Sequence, residues 1–150
     1  MKKIMLALVA IVMSVWSVSA GLGDKYTINR DGLPEEAREF LDTHFPKAKV
    51  GMIKIDKHLL KKTDYDVKLV NGTKIEFSNK GKWTSVDCQT KEVPEGIGPK
   101  AIRTYVNKNF AGVKVVALTK KATSYEARLS DGVTLKFNLL GQFKSVVSAD

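Results

Sequence analysis

The sequence predicts an α+β fold: a tandem repeat of two helix-plus-four-stranded antiparallel meander units, with the helices packed on one face of the sheet. Internal repetition is the first observation behind this. Residues 65–77 (YDVKLVNGTKIEF) are echoed by 125–137 (YEARLSDGVTLKF), and 81–86 (GKWTSV) by 141–146 (GQFKSV). Upstream, Leu33-Pro34-Glu35 matches Val93-Pro94-Glu95, so matched positions stand 60 residues apart. The second observation is period-two alternation of apolar and polar residues between glycine turns, the mark of half-buried strands. The third is composition. The chain has 150 residues, 43% hydrophobic and 27% charged, with a single cysteine. That excludes disorder and a disulfide framework and leaves an ordinary globular protein.

The elements follow in chain order. Met1-Lys2-Lys3 precedes an apolar run over 4–18, and Val18-Ser19-Ala20 offers small residues for cleavage after Ala20. The run is shorter than the about 20 apolar residues a spanning helix needs. Residues 1–20 are therefore expected to be a signal peptide, addressing the chain to the periplasm or the exterior with no membrane span after cleavage. Residues 21–32 show no periodicity and are expected to be flexible. The first unit is assigned to 33–90 and the second to 91–150.

Each unit opens with a helix. Pro34 suits an opening turn, and Glu35 and Glu36 follow where the helix dipole favours negative charge. Leu33, Ala37, Phe40, Leu41 and His44 recur at helical spacing until Pro46. In the second unit Gly98-Pro99 starts the helix, and Ile102, Tyr105, Val106 and Asn109 form its stripe. Strands are expected around 50–56 and 113–120, with Ile53 and Ile55, or Val116 and Leu118, inward. The Lys-rich stretch 57–63 reads as an exposed hairpin loop.

Turn chemistry sets the register of the remaining strands. A two-residue Asn71-Gly72 turn would pair Lys68 with Ile75 and mix the faces. A three-residue loop with Gly72 in the left-handed position instead pairs Val67 with Ile75 and Tyr65 with Phe77. The loop at Asp131-Gly132 likewise pairs Ala127 with Leu135 and Tyr125 with Phe137. Loops ending at Gly81 and Gly141 pair Phe77 with Trp83 and Phe137 with Phe143. Every hairpin then buries the same face.

The pattern Leu33-Pro34, His44-Phe45, Tyr65-x-Val67-x-Leu69-x-Asn71-Gly72-x-x-Ile75-x-Phe77-x-x-x-Gly81-x-Trp83 resembles the PepSY-like family of secreted bacterial proteins. The resemblance runs from about Leu33 to Val146. It implies a fold similar to β-lactamase inhibitor protein, a periplasmic or secreted location, and a non-enzymatic inhibitor or binding role.

The residues themselves offer little catalytic chemistry. His44 falls on an apolar helix stripe and His58 in a Lys-rich loop, while Cys88 has no neighbouring histidine in sequence. No serine occupies a Gly-x-Ser-x-Gly elbow, and neither His-Glu-x-x-His nor a phosphate-cradling glycine loop occurs. No catalytic residue and no cofactor is therefore expected. Asp64, Asp66 and Glu126 could offer oxygens to Ca²⁺, but no EF-hand spacing is present and no metal site is assigned.

Charge directs the partner reading. The formal charge is +9, and without Lys2 and Lys3 the chain keeps 23 bases against 16 acids, or +7. Outside the cytoplasm this favours an acidic envelope protein or another anionic ligand over nucleic acid. The outward sheet face is expected to carry Asp66, Lys68, Lys74, Glu76, Lys82 and Thr84 in one unit. In the other it carries Glu126, Arg128, Thr134, Lys136, Gln142 and Lys144. Both are net basic. Candidate partner-binding residues are Lys68, Lys74, Lys82, Tyr105, Arg128, Lys136 and Lys144. The expected function is an exported, non-enzymatic binding or inhibitor-like module with a basic sheet face; the alternative is an envelope small-ligand or calcium-responsive sensor.

Overall fold

The computed structural model describes residues 24–56 and 64–149. The expected signal peptide and the 57–63 loop, with His58, lie outside these residues. One antiparallel sheet has nine strands in sequential order. They are β1 (Asp24–Thr27), β2 (Val50–Asp56), β3 (Asp64–Leu69), β4 (Lys74–Phe77), β5 (Trp83–Asp87), β6 (Val115–Lys120), β7 (Ser124–Leu129), β8 (Val133–Asn138) and β9 (Phe143–Ala149). Helix α1 (Glu35–His44) lies between β1 and β2, and α2 (Lys100–Asn109) between β5 and β6.

Both helices begin directly after a proline, Pro34 or Pro99, in the N-cap position. Each ends where a phenylalanine turns out of the helix, Phe45 or Phe110, while its N–H still bonds to Leu41 or Val106. Ala37 and Leu41 of α1, and Ile102 and Val106 of α2, are buried. The ring of Phe40 meets Phe77 edge-on at 5.4 Å, and Tyr105 meets Phe137 edge-on at 5.6 Å. Phe77 and Phe137 point to one side of the sheet, so both helices cover the same face.

The hairpin registers follow the turn chemistry. Tyr65 pairs with Phe77 and Val67 with Ile75; Tyr125 pairs with Phe137 and Ala127 with Leu135. Phe77 pairs with Trp83, and Phe137 with Phe143. Gly72 and Gly132 both stand at φ +93°, a left-handed conformation that disfavours any side chain. The inward row continues unbroken through Ile75, Val86, Leu118, Ala127 and Leu135. Buried residues from both halves of the chain thus form one core cluster.

Two expectations are corrected. The segment 21–32 is not simply a flexible lead-in: residues 24–27 form edge strand β1, pairing from Asp24↔Asp56 to Thr27↔Ile53. Residues 30–32 then form a 3₁₀ turn capped by the Asn29 side chain. Asp-Lys-Tyr-Thr does not alternate apolar with polar residues, and the pairing uses backbone groups that any side chain leaves available. The second correction concerns bulges. The register shifts within β5, between Ser85 and Trp83, and twice within β9. Each extra residue re-aims its neighbours, so Ser85 stands opposite Glu76 and Ser145 opposite Lys136. Thr84 in β5, and Lys144 and Val147 in β9, are the inserted residues and leave the expected alternation. Val116 is likewise an inserted residue, between Val115 and Ala117, although it is buried.

Candidate functional site

With both helices on one side, the opposite side of the sheet is open, and pairing orders its side chains into rows. One row runs Lys54, Asp66, Glu76, Ser85, Thr119, Glu126, Lys136, Ser145, each residue opposite the next. Its neighbour runs Met52, Lys68, Lys74, Asp87, Ala117, Arg128, Thr134, Ser148. Adding β1, β2 and Asp87 changes the expected electrostatics: the face interleaves both signs and is not net basic throughout.

Acids gather at the β1–β4 end. Asp24 lies opposite Asp56, and Asp66 lies between Lys54 and Glu76. Lys54 reaches Asp56 at 3.2 Å and Asp24 at 3.9 Å. The Asp56 hydrogen bond and charge hold the Lys54 ammonium above its usual range. Burial, then the charges of Glu76 and Asp56, push the Asp66 carboxyl up to about 6. Among the described residues, no group of three or more His, Cys, Asp or Glu side chains is arranged to hold a metal ion.

At the middle of the sheet, Arg128 of β7 reaches over Ala117 of β6 to Asp87 of β5. Its two guanidinium nitrogens donate to the two carboxylate oxygens at 2.7 and 3.3 Å. Ala117 has too little side chain to obstruct the pair. Burial alone would raise Asp87, but the Arg128 hydrogen bonds and charge leave it below the usual carboxylate range. Ser85, Thr119, Lys121 and Glu126 complete a shallow depression of about 320 Å³ around this pair. Lys121 and Glu126 form an ion pair at its rim.

The sequence-derived candidates scatter accordingly. Lys68 and Lys74 come together, directly opposite each other and both exposed. Lys136 shares their face but stands between Glu126 and Ser145. Arg128 is engaged by Asp87. Lys82 lies on the helix side, lining a recess with Glu36, Glu39 and Trp83. Lys144 occupies the first of two exposed β9 bulges. Tyr105 is part of the packing under α2, its ring stacked on Phe143 at 4.7 Å. Reasoning from sequence missed Asp24, Asp56 and Asp87. Asp56 was reachable by extending the alternation of Ile53 and Ile55 to the strand end, whereas Asp87 lies beyond the bulge at Thr84 and Asp24 on a strand whose residues do not alternate.

The groups expected to lack a catalytic role are packed. His44 lies against Phe40 at 4.6 Å, and burial lowers its basicity. Cys88 is buried, which raises its thiol pKa. A cleft of about 410 Å³ runs between α2 and residues 92–98, and Arg103 lines it. Its guanidinium, however, donates to the carbonyls of Val93, Pro94 and Ile97 at 2.6–3.1 Å. Arg103 therefore holds the connection between β5 and α2 in place. Among the described residues no helix is long and apolar enough to cross a membrane.

Comparison with known proteins places this geometry. No curated protein matches the chain. Similar crystal structures include a "putative periplasmic protein of unknown function" from Bacteroides vulgatus, at 39% identity and TM-score 0.79, covering 84% of this chain and 100% of that one. A "putative calcium-regulated periplasmic protein" from Bacteroides thetaiotaomicron has 34% identity and TM-score 0.78, covering 83% of this chain and 97% of that one. A second "putative periplasmic protein" from Bacteroides vulgatus has 35% identity and TM-score 0.77, with the same coverages of 83% and 97%. The family model described as "Putative beta-lactamase-inhibitor-like, PepSY-like" matches residues 63–145. With more than half its length matched by that model, and turn glycines and core aromatics in the register those residues require, the chain belongs to the PepSY-like family.

Proposed function

We propose that this protein is an exported, non-enzymatic binding module, built by duplication of a helix-plus-meander unit, that engages an anionic partner through its open sheet face. One observation carries this reading: Lys68 and Lys74 stand directly opposite each other on adjacent strands, both exposed. Like charges directly opposite across strands destabilise a sheet, and among the described residues neither lysine has an ion-pair partner within 4.0 Å. Asp87, the acid opposite Lys74, is already bound by Arg128. A carboxylate-rich partner would relieve the repulsion. The periplasmic description of the similar structures supports an acidic protein of the bacterial envelope as that partner.

A second reading, regulation by calcium, is favoured by two observations. One similar structure is described as calcium-regulated, and like charges contribute to the raised Asp66 carboxyl at the β1–β4 end. A cation there would lower that repulsion. The two readings separate in one set of measurements. Under the first, wild-type protein retains an acidic envelope protein, and both about 0.5 M salt and the K68E/K74E variant abolish retention. Under the second, Ca²⁺ raises the Tm of wild type but not of D66N, because only a ligand preferring the folded state stabilises it. Salt-insensitive retention that K68E/K74E leaves intact would end the first reading.

A further inference from the structure

The repeated sequence supplies an internal comparison, because each helix starts after a proline that touches a turn glycine, Pro34 with Gly81 and Pro99 with Gly141. Aligned on those prolines, α1 (EEAREFLDTH) carries four acids and one arginine, whereas α2 (KAIRTYVNKN) carries Lys100, Arg103 and Lys108 and no acid. Lys100 takes the first helical position, where the dipole disfavours a cation. Glu35 holds the same place in α1. The adjoining turn changes with the helix: Asn79-Lys80, between β4 and β5, becomes Leu139-Leu140 between β8 and β9. Those leucines are 45% and 75% exposed. Their turn is tied at its base, where Asn138 Oδ1 accepts from the N–H groups of Leu140 and Gln142 at 3.0 and 2.9 Å. Gly141, next in the chain, packs on Pro99 and Ala101 and so sets the leucine pair beside the start of α2.

We propose that this corner of the molecule, the Leu139-Leu140 tip with the lysines of α2, docks the protein on an anionic lipid surface. Between α2 and the start of β9 runs a groove of about 660 Å³, lined by Lys100, Thr104, Lys108, Asn109, Gln142 and Phe143 and by no acid. Lys100, Thr104 and Lys108 are four residues apart and share one side of the helix. The matching groove beside α1 balances Glu36 and Glu39 against Lys82 and Lys120. Among the described residues neither Lys100 nor Lys108 has an ion-pair partner within 4.0 Å. Glu92 and Glu95 line the cleft between α2 and residues 92–98, which Lys100 also borders. Residue type favours lipid over protein as the anion. Protein interfaces are depleted in lysine, and their hot spots use Trp, Tyr and Arg rather than Leu. An anionic bilayer takes the combination found here: its headgroups attract the ammonium groups, and the leucines gain by leaving water. Phe143, 36% exposed and stacked on Tyr105, continues the apolar strip from the turn into β9. The surface lies on the helix side and does not depend on the reading of the lysine pair.

The test uses the purified protein and vesicles of equimolar phosphatidylglycerol and phosphatidylcholine. Wild type is expected to co-sediment with them at about 0.1 M salt, and far less with phosphatidylcholine alone. K100E/K108E should lower capture at least about tenfold, and L139N/L140N, which removes apolar surface without adding charge, on the order of tenfold. K68E/K74E changes the net charge as much as K100E/K108E does, but on the opposite side of the sheet, and should lose no more than about twofold. All these side chains are exposed, so each variant is expected to keep the wild-type circular dichroism. In a C88A background, an environment-sensitive dye on L140C is expected to shift to the blue on these vesicles. The same dye on D131C, at the other end of β8, is not. Absence of capture by phosphatidylglycerol vesicles, equal losses in K100E/K108E and K68E/K74E, or an unshifted dye on L140C overturns the proposal. So does retention of an acidic protein that L139N/L140N abolishes, in the absence of vesicle capture.

Discussion

Two aspartates on the open face show how neighbours decide what a carboxylate contributes. Burial acts against the charged form of both. At Asp87 the Arg128 fork outweighs it and lowers the pKa, so its stabilisation is present above the ordinary carboxylate range and is lost as pH falls through the folded value. At Asp66 the nearby Glu76 and Asp56 add to burial, and the value rises from 3.8 to about 6. Between those values the folded state holds a proton that the unfolded state has released. Stability therefore falls as pH rises through this window, and the full penalty is present above 6. Replacing Asp66 with Asn removes the charge without changing the shape. D66N is expected to gain about 1 kcal/mol at pH 8 once solvent screening is allowed for, and the gain should shrink as pH falls toward 4. Urea unfolding of both proteins across that range checks it; a pH-independent difference would place the cause in packing.

Hairpins and helices are coupled through glycines, and the coupling separates two costs that are usually mixed. Gly72 and Gly81 both have positive φ, +93° and +84°. A Cβ on Gly72 would meet only Gln89 at 3.9 Å, whereas on Gly81 it would lie 2.9 Å from both Ala37 N and Pro34 Cβ at the start of α1. Gly141 repeats this against Pro99 and Ala101, each at 2.9 Å. The backbone strain alone should cost G72A about 1 kcal/mol. G81A adds a collision with helix backbone and should lose about 2–4 kcal/mol. Equal losses in urea titrations would show that the turn does not support the helix. These turns also show what was legible in the sequence. Each is a local motif whose loop length admits one register that keeps the apolar residues, such as Val67, Ile75 and Phe77, on one side, so these four hairpins could be paired in advance. The bulges at Thr84, Lys144 and Val147 could not, because an inserted residue leaves the glycine spacing of the loops unchanged. The Asp87–Arg128 pair depends on strands two places apart, and the carboxylate group depends on β1 joining the sheet; neither has a local signature.

Across the molecule, the join between β5 and β6 determines whether the two halves behave as one body. Its ladder spans three residue pairs, Ser85↔Thr119 to Asp87↔Ala117, fewer than any other strand pair, the next shortest having four. Backbone pairing is thin there, so side chains must supply the continuity. Val86 and Leu118 face each other, fully buried. Trp83 packs on Tyr125 at 6.2 Å, and Leu118 presses on Gly98, where an added Cβ would lie 2.6 Å from its Cδ2. The Arg128–Asp87 pair crosses the same join on the open side. If these contacts couple the halves, unfolding is a single event and weakening the join lowers the stability of both. L118A should then cost about 2–5 kcal/mol and move the Trp83 fluorescence transition and the far-UV circular dichroism transition to lower urea together. Separation of the two curves in wild type would show that each half unfolds by itself. Separation only in L118A would show that this one side chain, more than the ladder, makes the nine strands cooperative.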